Sequence, residues 1–421
     1  MKICVIGLGY VGLPIYFQAK FKGFDVFGFD VNKKKIEELK DGITEIKGRI
    51  PEQGFAKFKE NDFTFDVTRL KEADVYIICV PTPIDEFKNP DYSFVIGATQ
   101  LVIDNGKKGC LVCEESTVNP GTMEEIVMPL FDKANWIVDK DYHLVHCPER
   151  IDPGNENYEV DNIPRCIGGL TEKSLEKGYE LYSKLIDAPI KKMSSIRAAE
   201  MTKIVENTFR DVNIAYVNQL AKIADVIDVD IKEVIEGAAT KPYAFMPHWP
   251  GIGIGGHCIP VDPYYLIEYS KHKGLDPKFL SLSREVNDSM PKYSVGKVQE
   301  ILNELGKPMK DTKVLILGYS YKANVSDERE TPAKEVIKIL KERLADVKVY
   351  DPFILNKSEF NNLQDALNWS EAVILCTAHN EFVDNVPKLI KNNVILLFDG
   401  RNVFDKELFV KKGIRYKGIG R

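Results

Sequence analysis

The stretch Gly7-Leu8-Gly9-Tyr10-Val11-Gly12 limits the possible folds of this chain more than any other. It follows a short apolar run at residues 2–6, KICVI, and leads into a helical pattern. Glycines at these spacings permit a tight turn, close approach of the backbone to a pyrophosphate, and packing of helix against strand. The helix opening behind them offers N–H groups and positive potential to the phosphates. A second apolar run, FDVFGFD, ends at Asp30, placed for the hydroxyls of an adenosine ribose. A carboxylate there repels a 2′-phosphate, so NAD is expected rather than NADP.

Strand-like runs recur at DVYIICV, GCLVCEES and YHLVHC, alternating with helical segments. That alternation predicts a parallel sheet covered on both faces. From Ala198 to Val229 there is neither glycine nor proline, and the segment reads as one helix of roughly 45 Å. Its apolar stripe includes Ile204, Val212, Tyr216 and Leu220. Such a spine invites pairing of two subunits, so a homodimer is expected. A loop rich in glycine and proline follows, then more helix to about residue 308. The α/β pattern restarts at KVLILGYSY, TPAKEVIKILKERL, DVKVYDP, SEAVILCT and NNVILLFDG, without a second GxGxxG. The expected fold class is α/β, two doubly wound Rossmann-like domains joined by a long central helix and a helical middle domain. The expected boundaries are 1–197, 198–308 and 309–421.

A net charge of −6 argues against nucleic-acid or membrane-surface binding. The longest apolar runs, such as VYIICV and VILLF, are too short to span a bilayer. With the motif at the very start no signal peptide is expected, and the eight scattered cysteines suit a reducing cytoplasm. Cys110 and Cys113 form a CxxC, but no second pair or histidine cluster completes a metal site, so no metal is expected.

Polar residues gather at the predicted carboxyl edge of the first sheet, where open α/β sheets bind ligands. Thr82 lies in CVPTP, Thr117 in ESTVNPGT, and Glu149 with Arg150 in CPERIDPGN. Lys203 and Asn207, four apart, share one face of the long helix, an ammonium and an amide suited to a developing alkoxide. In GGHCIPVDPYYL, glycines and prolines hold Cys258 in a tight loop beside His257 and near Asp262. A thiolate there is a nucleophile able to carry an aldehyde through thiohemiacetal and thioester to an acid. Each of these residues also has a bland reading, as loop former, solvated helix face or buried thiol.

Together GLGYVGLP, VPTP, ESTV, PER, KIVEN and GGHCIPVDP resemble the UDP-glucose/GDP-mannose dehydrogenase superfamily, in order along essentially the whole chain. GGHCIPVDPYYL and ERIDPGN resemble its UDP-N-acetylhexosamine branch, especially the UDP-N-acetylglucosamine 6-dehydrogenases. The resemblance implies two successive hydride transfers to NAD, taking a sugar C6 alcohol to a carboxylate. It makes Cys258 the nucleophile, Lys203 and Asn207 oxyanion donors, Asp262 an aid to proton transfer, and Glu149 and Thr117 holders of the hydrolytic water. Gly7, Gly9, Gly12, Asp30, Lys35, Thr82, Thr117 and Arg329 match cofactor positions. Glu149, Arg150, Lys203, Asn207, Lys241, Gly255, His257, Lys322 and Arg401 match substrate positions, with Lys241 reaching a partner subunit's sugar site. The UDP-glucose branch has serine and lysine where this chain has His257 and Val261, which disfavours UDP-glucose.

UDP-N-acetylglucosamine is therefore the first expected substrate and UDP-N-acetylmannosamine the alternative, with UDP-glucose behind both. A two-electron hydroxyacid dehydrogenase shares the GxGxxG domain and the Lys/Asn pair, but has no use for Cys258 or a second nucleotide domain. A non-catalytic nucleotide-sugar sensor has no need of Lys203, Asn207, Cys258 and Asp262 together.

Overall fold

Two sheets, the first parallel but for one pair of strands and the second parallel throughout, organise the chain. The structure is a computed structural model and describes residues 1–44, 62–85, 87–151, 158 and 160–421. Residues 152–155 of the ERIDPGN motif lie outside the described residues.

The first sheet has the order β3-β2-β1-β4-β5-β6-β7-β8. Its strands are β1 (Lys2–Ile6), β2 (Asp25–Phe29), β3 (Phe63–Thr64), β4 (Val75–Ile78), β5 (Cys110–Glu114), β6 (Tyr142–His146), β7 (Arg165–Gly169) and β8 (Ile190–Lys192). β6 and β7 pair antiparallel and the other pairs are parallel. The first six strands follow the dinucleotide-binding order 3-2-1-4-5-6. Both faces are covered, so β1 is apolar at successive positions, Ile3 to Ile6 all being buried. Cys110 and Cys113 stand on β5 and point to opposite faces, into separate cores. That geometry removes any joint role for the CxxC. Helix α1 (Gly12–Phe21) follows β1, and α2 (Lys33–Lys40) is capped by Asn32, which accepts the Lys35 N–H.

The second sheet has the order β10-β9-β11-β12-β13, all parallel. The strands are β9 (Lys313–Leu317), β10 (Asp346–Tyr350), β11 (Ala372–Leu375), β12 (Leu396–Asp399) and β13 (Arg415–Gly418). Within its own domain this is the order 2-1-3-4-5, the other common doubly wound arrangement.

The long helix runs from Ile196 to Ile227, close to the expected span, and is named α3 here. It stops because Asp228 takes a left-handed conformation, φ 54°. A short polar side chain tolerates that conformation better than most. Ile204, Val217, Ala221 and Ala224 are buried, while Met201, Val205, Phe209, Tyr216, Ile223 and Ile227 form a second, exposed apolar stripe. Of the stripe expected to face a second subunit, Tyr216 is exposed as that reading requires, whereas Ile204 is buried within the chain.

The chain divides into two compact units, Met1–Glu206 with Tyr264–Gly274, and Asn207–Pro263 with Leu275–Arg421.

Candidate active site

In the first unit, β1 ends in the glycine turn. Gly7 has φ 89° and donates its N–H to the Phe29 carbonyl at 2.9 Å. A Cβ there would lie 2.7 Å from the Cys79 carbonyl oxygen, and one on Gly12 would collide with the Gly7 carbonyl. A Cβ on Gly9, in contrast, would meet nothing within 4 Å. The turn is closed on its inner side and open at Gly9, the shape a pyrophosphate requires. No described side chain caps the N-terminus of α1, which leaves its polarity directed at this opening. Asp30 follows β2, and its Oδ2 and Oδ1 accept the N–H groups of Leu8 at 3.0 Å and Asn32 at 2.9 Å. Lys35 Nζ stands 3.7 Å from Asp30 Oδ2. Leu8, Gly9, Tyr10, Lys34 and Lys35 line a cavity of about 210 Å³. These residues fit a dinucleotide. Thr82 is buried behind β4, and its carbonyl accepts the Tyr265 hydroxyl.

The loops after β5 and β6 are joined by a buried ionic cluster that sequence reasoning did not find. Glu115 and Arg165 are fully buried, with Arg165 Nη1 3.1 Å from Glu115 Oε2. Tyr182 donates its hydroxyl to Glu115 Oε1 at 2.6 Å. The same Nη1 lies 3.5 Å from the Pro148 carbonyl, and the Glu149 N–H is 3.4 Å from the Glu115 carbonyl. Thr117 and Glu149, both half-buried, are thus carried by neighbouring, tied loops. Beside them, burial pushes the Glu114 carboxyl up to about 8 and that of Glu200 up to about 7. Glu200, on α3, accepts the N–H groups of Gly121 at 2.5 Å and Met123 at 2.8 Å. Two glutamates at one strand end and an arginine inside a strand (EEST, PRCIGG) were the available signals. Arg150 donates to the Pro164 carbonyl at 2.9 Å and pairs with Glu206. Lys203 is buried, one turn before Asn207 on α3.

In the second unit, Asn207 Nδ2 donates to Asp262 Oδ2 at 2.5 Å, and both residues are buried. Asp262 opens a helix, Asp262–His272. The Cys258 carbonyl accepts the N–H groups of Val261 at 3.1 Å and Asp262 at 2.8 Å. Cys258 is exposed, whereas the other seven cysteines are buried. Burial alone therefore separates it from its congeners. Its loop is pinned on both sides. Gly256, at φ 90°, donates to the Arg329 carbonyl at 3.0 Å, and Tyr321 packs where Gly255 and Gly256 lack a Cβ. Burial first, then nearby Arg329, pulls the His257 pKa below its usual value. Arg401 donates Nε–H to the Cys376 carbonyl at 2.6 Å and lies beside Gly251. Arg329 pairs with Asp327 at 2.6 Å. Lys241 is exposed, with Nζ 4.9 Å from the Tyr243 ring centroid.

Asn207, Asp262 and Cys258 are brought together in one unit, and Gly7, Gly9, Gly12, Asp30 and Lys35 in the other. No group of three or more histidine, cysteine or acidic residues suited to a metal occurs among the described residues. Nor is any described helix long and apolar enough to cross a membrane. A dinucleotide cradle and an exposed cysteine on a two-sheet chain fit the class of NAD-dependent oxidoreductases.

Comparison with known proteins narrows the class. Three models of the UDP-glucose/GDP-mannose dehydrogenase family match in order: the NAD binding domain at residues 1–186, the central domain at 197–289 and the UDP binding domain at 315–406. A UDP-N-acetyl-D-mannosamine dehydrogenase of Methanococcus vannielii is 36% identical over 100% of this chain and 97% of its own. A UDP-N-acetyl-D-glucosamine 6-dehydrogenase of Pseudomonas aeruginosa is 34% identical over 97% of this chain and 98% of its own. Among solved structures, a UDP-D-ManNAc dehydrogenase of Pyrococcus horikoshii matches with a TM-score of 0.91 and 32% identity, over 100% of this chain and 99% of the other. The chain belongs to the UDP-glucose/GDP-mannose dehydrogenase family. It is an NAD-dependent UDP-sugar dehydrogenase with a UDP-sugar binding domain.

Proposed function

We propose that this enzyme oxidises the C6 hydroxyl of a UDP-N-acetylhexosamine to the carboxylate in two two-electron steps, with Cys258 as the nucleophile. The observation that carries the reading is an exposed thiol whose loop is fixed by Gly255 and Gly256 and leads directly into the buried Asp262–Asn207 pair. NAD held by Gly7, Gly9, Gly12, Asp30, Lys35 and Thr82 supplies the acceptor for the hydride lost from C6 in each step.

The chain's own groups handle the protons and the charge. Lys203 and Asn207 offer N–H donors to the oxygen on C6 as it becomes an alkoxide, the electrostatic aid expected of such a pair. Asp262, through ordered water, takes the hydroxyl proton. Cys258 Sγ then bonds C6 of the aldehyde, and the thiol proton moves to the carbonyl oxygen, giving a thiohemiacetal. Loss of the second hydride and of the hydroxyl proton leaves a thioester. Water positioned by Thr117 and Glu149 attacks C6, the C–S bond breaks, one water proton returns to the departing Cys258 sulfur, and the other passes to solvent as the carboxylate forms. Arg150, Gly255, His257, Lys322 and Arg401 hold the substrate, with Arg329 near the cofactor. Residues 1–197, 198–308 and 309–421 act as cofactor, central and UDP-sugar segments. Two copies pair through α3, and Lys241 serves the partner's sugar site.

UDP-N-acetylglucosamine stands first from the sequence. The mannosamine epimer is favoured by the names of the Methanococcus and Pyrococcus relatives. The deciding experiment is NAD reduction on a panel of UDP-sugars with product quantified. Two NADH per sugar acid and a preference for one or both N-acetylhexosamines over UDP-glucose are expected. One NADH per product, or equal kcat/KM for UDP-glucose, refutes the reading.

A further inference from the structure

The two sheets begin alike and then diverge. Gly318 repeats Gly7, with φ 90° and an N–H donated to the Tyr350 carbonyl at 3.0 Å. The strand beside each glycine turn is followed by an aspartate, Asp30 after β2 and Asp351 after β10. Counted from the first glycine, however, Gly9 is matched by Ser320 and Gly12 by Ala323. Where Gly9 leaves open space, Ser320 is fully buried and its Oγ lies 3.0 Å from His379 Nε2.

The aspartates differ as sharply. Asp30 accepts two backbone N–H groups and keeps some exposure. Asp351 has none. Its Oδ2 accepts Tyr319 N–H at 2.6 Å and Ser320 N–H at 2.8 Å and lies 3.1 Å from His379 Nε2. Its Oδ1 accepts Phe353 N–H at 2.7 Å and Ile354 N–H at 3.1 Å. A carboxylate offers about four acceptor positions, so Asp351 has no capacity left for a ribose.

His379 completes the closure. Its Nδ1 accepts the Asn324 N–H at 2.9 Å, which puts the ring hydrogen on Nε2, facing Asp351 and Ser320. Asn324 is in the left-handed region, φ 61°, so that bond fixes a conformation the backbone does not prefer. Thr377 adds a bond from Oγ1 to the Ser320 carbonyl at 2.5 Å. Lys322 lies between the two tied positions, and its carbonyl accepts from Ser320 Oγ at 3.2 Å.

We propose that His379 is a positioning residue. With Asp351 and Ser320 it turns a dinucleotide-type strand edge into a fixed turn that presents Lys322 to a nucleoside diphosphate, and it closes this sheet to NAD. The proposal rests on the reading of Lys322 as a diphosphate contact. The test measures UDP and NAD binding separately by titration calorimetry on the full chain, alongside initial rates. Lys322→Ala checks the underlying reading first. Unchanged UDP affinity in that variant removes the reading whatever His379 does. With that reading intact, His379→Ala and Ser320→Ala should each weaken UDP binding and raise KM for the UDP-sugar by about tenfold, the scale of one or two lost hydrogen bonds. NAD affinity and kcat should stay within about twofold, well under one such bond. His379→Asn, which keeps an acceptor in place of Nδ1, should recover part of the loss. Wild-type UDP affinity in His379→Ala, or a parallel loss of UDP and NAD affinity, overturns the proposal. Ser320→Ala, which removes a single hydroxyl, decides the question alone if His379→Ala does not fold.

Discussion

A cysteine becomes a nucleophile through access and charge rather than through its identity. Seven of the eight thiols here are buried, and burial pushes those of Cys110 and Cys376 up to about 12, where no thiolate forms at neutral pH. Cys258 is exposed instead, on a loop whose Gly255 and Gly256 pack against Tyr321. Cys258→Ala should therefore stop at the aldehyde, and Cys258→Ser should stall as an ester, because an alkoxide leaves poorly. Mass spectrometry of products and intact protein reads both outcomes, and normal acid production by either variant returns Cys258 to a structural role. Lys203→Ala should lower kcat by ~10² to 10³, the cost of losing one oxyanion donor. NAD affinity should hold, and its collapse with normal chemistry would reassign the lysine. Their placement was legible because spacing imposes geometry: Lys203 and Asn207 stand four apart on one helix, Cys258 and Asp262 four apart across a turn. Glu115, Arg165 and Tyr182 were not, because buried ion pairs join distant strands with no periodic trace in the sequence.

At the scale of elements, long and uninterrupted patterns were read almost to the residue, and short ones were missed. The span without glycine or proline gave α3 to within two residues at each end. β8, with two exposed lysines, and β13, with alternating burial, carry too little apolar signal to stand out from loops. What the helix does internally was also invisible. Its Glu200 accepts two N–H groups from the segment Gly121–Met123, and burial holds its carboxyl up at about 7 against an ordinary 4.5. A folded pKa above the unfolded one means the fold stabilises the protonated acid. That contribution is complete below about 4.5 and is lost as pH rises through about 7. Glu200→Gln keeps a neutral acceptor at every pH. Its melting temperature should accordingly gain on the wild type's between pH 5 and 8 in matched thermal melts. Parallel curves would show that the carboxylate is ionised throughout.

The whole molecule was legible where alternation of strand and helix dictates architecture. Restarting that alternation at residue 313 requires a second parallel sheet, and the absence of its GxGxxG implies a different nucleotide group. Strand order was not readable, since it depends on which crossovers pack where, although both observed orders belong to the doubly wound class. The remaining question at this scale is how many chains make the enzyme. α3 presents Met201, Val205, Phe209, Tyr216, Ile223 and Ile227 to solvent, at intervals of four or seven residues. Side chains so spaced lie on one face, and a helix normally buries its apolar face against a partner. A second copy related by a twofold axis offers the identical stripe, which is the self-complementary surface such symmetry needs. Sedimentation at assay concentration should thus show at least a dimer. Phe209→Glu combined with Tyr216→Glu puts like charges on both faces of the contact and should shift the population toward monomer, with far-ultraviolet circular dichroism unchanged. A stable wild-type monomer, or a charged variant that sediments as the wild type does, would assign the stripe to some other contact.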